Sequence, residues 1–132
     1  VFQGIARRRH SHSSWSENGE DIPFLPYPAL KAWLVSMTTG KFRDVYMAGW
    51  KQRTRFPEAR IPIEKANAAI LLLSAKQDQM WPSRIMCEAT IRHLKDSHFA
   101  YPFEHVAYDG DHGVGNRKEH WIKITGFLRN PR

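Results

Sequence analysis

Ala69-Ile70-Leu71-Leu72-Leu73-Ser74-Ala75-Lys76-Gln77-Asp78 and Phe103-Glu104-His105-Val106-Ala107-Tyr108-Asp109-Gly110-Asp111-His112 are two apolar runs, each closed by a polar turn. Their reading decides the fold. Ala68 to Ser74 is continuously apolar, as expected of a strand covered on both faces of a parallel sheet, and Phe103 to Tyr108 reads as the next strand. Each turn is followed by an amphipathic helix pattern. Pro82 or Ser83 opens the first helix, with Cys87, Ile91 and Leu94 at i, i+4, i+7. Asn116 and Glu119 form a capping pair for the second, which is expected to bury Trp121, Ile124, Phe127 and Leu128 before Pro131 stops it. A β-α-β-α order of this kind is the end of a doubly wound sheet. It puts Asp78 and His112 at the carboxyl ends of neighbouring parallel strands, where open α/β sheets hold their ligands.

Upstream the pattern is looser. Residues 1–28 read as irregular, with Ser11 to Gly19 rich in turn formers and Pro23, Pro26 and Pro28 opposing regular structure. A helix is expected from Ala29 to Met37, since Leu30, Trp33, Leu34 and Met37 fall on one face and Gly40 ends it. A second helix is expected from Lys41 to Arg53, burying Phe42, Val45, Tyr46 and Trp50, and Arg55 to Ile63 reads as a connector. The expectation is therefore a single domain over 1–132: an irregular segment with inserted helices over 1–60 and a β-α-β-α core over 61–132.

Bulk properties narrow the class. The 132 residues allow one domain that buries roughly two-thirds of its unfolded surface. At 42% hydrophobic and 25% charged the composition is that of a globular chain. Cys87 is the single cysteine, so no internal disulfide forms. No apolar run approaches the ~20 residues of a membrane span, and no signal-peptide pattern opens the chain, so a cytoplasmic location is expected. The first residue is Val1 and not Met, as expected of a longer precursor or a trimmed chain. The net charge of +7 raises a nucleic-acid reading, but the basic residues are spread out, with only Arg7-Arg8-Arg9-His10 clustered. Such a surface equally attracts the phosphates of a nucleotide-bearing thioester.

An acid on one strand end and a histidine on the next, in that order, matches the second half of a Ser/Cys…Asp…His triad on an α/β-hydrolase sheet. The histidine takes the nucleophile's proton and returns one to the leaving group; the carboxylate fixes the imidazole tautomer. Asp78 and His112 are the candidates for acid and base. The nucleophile belongs on a G-x-S-x-G-type elbow, which these 132 residues lack. Ser36, Ser74, Ser83 and Cys87 have no flanking glycines to form one; Ser83 reads as a helix cap and Cys87 as a buried, inert thiol. His10-Ser11-His12 has no neighbouring carboxylate or thiolate and reads as solvated loop, and Gly110, Gly113 and Gly115 as turn geometry around His112. Trp33 and Trp50 read as core packing before a roof for an acyl pocket.

Three segments carry a family resemblance. Ile61-Pro62-Ile63-Glu64-Lys65 before the leucine-rich strand, Gln77-Asp78-Gln79-Met80-Trp81-Pro82-Ser83 after it, and Tyr108-Asp109-Gly110-Asp111-His112 resemble the C-terminal domain of the acyl-CoA thioester hydrolase / bile-acid-CoA:amino-acid N-acyltransferase family. Trp15 to Pro23 looks like the segment after that family's sixth core strand, and Asp-x-x-Trp-x-Ser is the most specific element. The resemblance implies the C-terminal part of an α/β-hydrolase, doubly wound with parallel strands and flanking helices, and thioesterase-type acyl transfer. A Ser or Cys attacks an acyl-CoA thioester, CoA leaves, and water or an amine resolves the acyl-enzyme. Asp78 matches the family's acid and His112 its base; no cofactor or metal is implied. Two positions depart from the family: Gln77, where an acidic residue is common, and Asp111, where glycine is usual. Asp111 beside the base is expected either to raise its basicity or to pull the ring out of position. Two readings compete: a non-catalytic, truncated hydrolase module acting in assembly or binding, and a basic nucleic-acid-binding protein. The expected partners are an acyl-CoA or related thioester, once an upstream half completes the site, and a second copy or partner segment covering the open sheet edge.

Overall fold

A computed structural model of the chain describes residues 13, 15–26, 30–113 and 117–130. The chain divides into two compact units, Val1–Ile61 and Pro62–Arg132. The first holds a short hairpin, β1 (Ser16–Glu17) antiparallel to β2 (Glu20–Asp21), in a stretch expected to be irregular. The signal for it is Asn18-Gly19: both residues have positive φ, 51° and 85°, as a tight hairpin turn requires. Two helices follow, α1 (Leu30–Thr39) and α2 (Arg43–Lys51). Gly40, at φ 69°, ends α1 as expected, its N–H bonding to Ser36 O at 2.8 Å.

Of the face expected for α1, Trp33 is half-buried, but Leu34 and Met37 depart from it. Leu34 and Met37 are more than half exposed, whereas Ser36 is buried. The helix carries apolar residues on several sides, Leu34 and Val35 in succession among them, so periodicity cannot fix its phase. In α2 the expectation holds better, with Val45 and Trp50 buried and Phe42 and Tyr46 half-buried. The Arg53 guanidinium lies 4.5 Å from the Trp50 ring centroid.

The second unit is the β-α-β-α core. β3 (Ile70–Ala75) pairs in parallel with β4 (Phe103–Tyr108), in register from Ile70↔Phe103 to Ala75↔Tyr108. α3 (Ser83–Asp96) connects them and α4 (Lys118–Arg129) follows β4. Alternation sends Glu104, Val106 and Tyr108 to one face and His105 and Ala107 to the other. The first face meets α4: Lys123 bonds Glu104 at 2.6 Å, and the Tyr108 and His120 rings pack with centroids 3.7 Å apart, tilted by 43°. His105, on the second face, feels Glu88 and Arg84 of α3. Helices thus flank both faces of a parallel sheet, an α/β arrangement.

Three details depart from expectation. Most of β3 is half-buried, with only Ser74 and Ala75 fully enclosed, because a two-stranded sheet cannot cover its own margins. α4 buries His120 and Phe127, while Trp121 (56%) and Leu128 (74%) stay exposed. Phe127 and half-buried Ile124 face inward as expected, and His120, its ring packed on Tyr108, takes the inward place expected of Trp121. Arg117 is the N-cap of α4 and makes no side-chain cap bond; Asn116, expected there, and Pro131 lie outside the described residues. No helix of the described residues is long and apolar enough to cross a membrane.

Candidate active site

The parallel ladder does not stop at the strand ends. Lys76 N–H donates to Tyr108 O at 2.9 Å and Gln77 N–H to Gly110 O at 3.0 Å, so the two turns leave the sheet side by side. Gly110 makes the second turn at φ 130°, a conformation L side chains rarely adopt. These backbone bonds bring the two candidates together: His112 Nδ1 lies 3.2 Å from Asp78 Oδ2.

Asp78 is 5% exposed yet fully bonded. Its Oδ1 accepts the backbone N–H groups of Met80 (2.9 Å) and Trp81 (2.8 Å), Oδ2 accepts from His112, and the Ser83 hydroxyl bonds the same carboxylate. Burial alone pushes this carboxyl up, but the bonds from Trp81, Ser83, His112 and Met80 together outweigh it and hold Asp78 below the usual carboxylate range. An ionised carboxylate has no proton to give, so His112 Nδ1 carries the hydrogen and donates it. That tautomer leaves Nε2 with its lone pair, the form a general base needs. The His112 side chain is 52% exposed.

The sequence elements around the pair turn out to have other duties than those expected. Ser83 does not cap α3; Pro82 is the N-cap, without a side-chain bond. The Ser83 hydroxyl instead bonds Asp78 and accepts from Ala75 N–H at 3.4 Å. In Asp-x-x-Trp-x-Ser, then, the aspartate is held by the tryptophan's backbone and the serine's hydroxyl, a role that helix-capping rules do not signal. Asp111 bonds backbone in both turns. Its Oδ1 accepts from the backbone N–H groups of Gln79 and His112, both at 2.8 Å.

The other nucleophile candidates have no catalytic setting. Ser74 Oγ sits 2.8 Å from His105 Nε2, but Ser74 is 3% exposed within the sheet, out of reach of a substrate. Burial lowers the His105 pKa. Cys87 is half-buried, and burial pushes its thiol up to about 11, so it is protonated at neutral pH. Among the described residues no group of three His, Cys, Asp or Glu side chains gathers to hold a metal. The His10-Ser11-His12 and Gly115 readings lie outside the described residues.

A family model described as BAAT / acyl-CoA thioester hydrolase C terminal matches residues 14–114, about three-quarters of the chain and both halves of the Asp78–His112 pair. The chain belongs to that family. Its fold is accordingly that of the α/β-hydrolases, and its parallel β3–β4 pair with flanking helices is a part of that sheet. Membership of the BAAT / acyl-CoA thioester hydrolase C-terminal family makes it an acyl-CoA thioesterase- or acyltransferase-like module. Neither the comparison with curated proteins nor that with solved structures gives a match.

Proposed function

We propose that this chain supplies the acid and the base of an acyl-CoA thioester hydrolase or acyltransferase, with Asp78 as acid and His112 as base. One observation carries the reading: the 3.2 Å Asp78–His112 contact at the ends of adjacent parallel strands, with Asp78 held ionised by its bonds. The Ser or Cys nucleophile comes from polypeptide outside these 132 residues. His112 Nε2 removes its proton as it attacks the thioester carbonyl and gives that proton to the departing CoA sulfur; in the second half it takes a proton from the resolving water or amine and returns it to the nucleophile. Asp78 stabilises the imidazolium between those events. Among the described residues β3 pairs with β4 alone, so its second edge can take another strand, from the nucleophile-bearing segment or from a second copy of the chain.

Acyl-enzyme formation tests this. The 132-residue chain alone stays unlabelled by a fluorophosphonate and shows only slow, His112-independent alkylation of Cys87 by iodoacetamide, while the chain completed by a nucleophile-bearing segment labels at a Ser or Cys of that segment. His112→Ala in the completed protein lowers CoA release from an acyl-CoA by roughly 10³-fold or more. Stoichiometric labelling of the chain itself at Ser83 or Cys87, abolished by His112→Ala, would overturn the placement of the nucleophile.

A further inference from the structure

His112 is more than half exposed, and among the described residues its ring has one side-chain partner, Asp78. One bond to one ring nitrogen leaves the ring free to swing about that contact, and a general base has to be held to roughly half an ångström. The restraint must therefore come through the backbone that carries the ring. The turn after β4 has two sets of bonds that could supply it. The first is ionic: Lys76 Nζ meets Asp109 at 3.0 Å, but both side chains are well exposed and such a pair restrains little.

The second set runs from side chain to main chain across the two turns. Gln77 N–H donates to Gly110 O at 3.0 Å and Gln77 Oε1 accepts from Gly110 N–H, so one glutamine bonds both polar groups of the glycine. The Gln77 backbone carbonyl is itself bonded by the Gln79 amide at 3.1 Å. From the opposite side, Asp111 reaches back to the acid's turn and accepts Gln79 N–H at 2.8 Å, while the same oxygen accepts His112 N–H at 2.8 Å. One carboxylate oxygen thus ties the residue after the acid to the backbone of the base. Gln77 and Gln79 flank Asp78, and Gly110 and Asp111 precede His112.

We propose that Gln77 and Asp111 are positioning residues that clamp the His112 turn onto the Asp78 turn and so fix the imidazole against its acid. This rests on the acid–base reading above. Neither residue takes or gives a proton in the reaction. Asp111 contributes a charged acceptor for two backbone donors, and such bonds are among the stronger ones. Gln77 contributes an acceptor at the residue whose φ of 130° sets the direction of the turn.

The test is nuclear magnetic resonance on the isotope-labelled 132-residue chain, with the His112 ring assigned by His112→Ala. Long-range ¹H–¹⁵N correlations read which ring nitrogen carries the proton. The wild type shows the Nδ1–H form, and Asp78→Asn shifts it toward the mixture of free imidazole. Asp111→Ala produces the same shift and speeds amide exchange at Gln79 and His112 about tenfold, with the β3 and β4 amides unmoved. Asp111→Asn, which keeps an acceptor oxygen, restores both readouts, and Gln77→Ala adds to the effect of Asp111→Ala. A clamp of purely structural importance would change exchange but leave the tautomer in place, and that result overturns the proposal. If the ring ignores Asp78→Asn as well, the Asp78–His112 pairing itself fails and the clamp falls with it. A response to Asp78→Asn with none to Asp111→Ala or Gln77→Ala overturns the clamp alone.

Discussion

The turn that carries Asp78 and the turn that carries His112 leave the same end of the sheet, yet they are built on different plans. Asp78 is 5% exposed and bonded by two backbone N–H groups, a hydroxyl and an imidazole. It is part of the folding core of its unit. The His112 side chain is 52% exposed, and among the described residues its ring bonds Asp78 alone. Burying a carboxylate is costly unless every lone pair is used, so the acid has to be integral to the fold. Under the function proposed above, His112 has to meet a nucleophile and a leaving group and so cannot be enclosed in that way. The pair therefore combines a residue whose loss is structural with one whose loss is chemical.

The sharpest way to break this contrast is to remove each partner in turn. Asp78→Ala strands the Met80 and Trp81 N–H groups and the Ser83 hydroxyl in a buried place, at a cost of about 3 kcal/mol and a drop in melting temperature on the order of 10 °C. His112→Ala removes one exposed partner and costs less than about 1 kcal/mol. Thermal or urea unfolding of the two variants decides it. Equal losses would mean that the base turn is as much a part of the core as the acid turn.

Acidity sharpens the same contrast. Asp78 is held below the carboxylate range despite burial, which by itself would raise it. In the unfolded chain it titrates near ~3.9, so between the two values the unfolded state binds more protons. Stability from Asp78 is therefore complete above about pH 4 and is lost as pH falls through the folded value. Urea midpoints measured from pH 6 down to pH 2 should fall along this limb, and Asp78→Asn should flatten it. His105 adds an earlier limb. Burial lowers its pKa beside Ser74, so stability starts to decline once pH drops below about 6.5, where the unfolded imidazole takes its proton. A profile with no acid limb that Asp78→Asn removes would contradict the account of how Asp78 is held.

Much of this arrangement was legible in the residues. Phe103–Tyr108 was read at its observed limits, and the leucine-rich strand was placed within two residues at its start and one at its end. Two turns closing parallel strands then located Asp78 and His112 together, because register fixes where strand ends lie. What holds the acid was not legible. Ser83 has the residue type and position of a helix cap, and only the fold of the turn between Ala75 and Ser83 turns its hydroxyl to Asp78. Gln77 and Asp111 read as departures from a family pattern, since a side chain that bonds backbone in a different loop leaves no local signature. The helix faces departed in part for another reason. Trp121 and Leu128 fit an apolar period as well as Phe127 does, and the inward place expected of Trp121 goes to His120, packed on Tyr108, a contact no periodicity contains.

The smallest expected effect uses Cys87, the single cysteine, as a reporter within α3. Its thiol is pushed up to about 11 by burial. At pH 8 only about one molecule in a thousand carries the thiolate, against roughly one in four for a free cysteine. Alkylation by iodoacetamide should then run on the order of a hundredfold slower than for a model thiol. α3 begins at Ser83, and the Ser83 hydroxyl is bonded both to Asp78 and to Ala75 N–H at the end of β3. Removing the Asp78 carboxylate loosens the first turn of the helix and lets Cys87 reach water more often, so Asp78→Ala should speed alkylation several-fold under native conditions. His112→Ala has no bond to α3 to release and should leave the rate unchanged. The measurement is the initial rate of Cys87 modification by mass spectrometry, at a protein concentration and temperature where both variants are more than nine-tenths folded. Should His112→Ala accelerate it as much as Asp78→Ala does, the two turns form one cooperative unit, and the division into a structural acid and a chemical base does not hold.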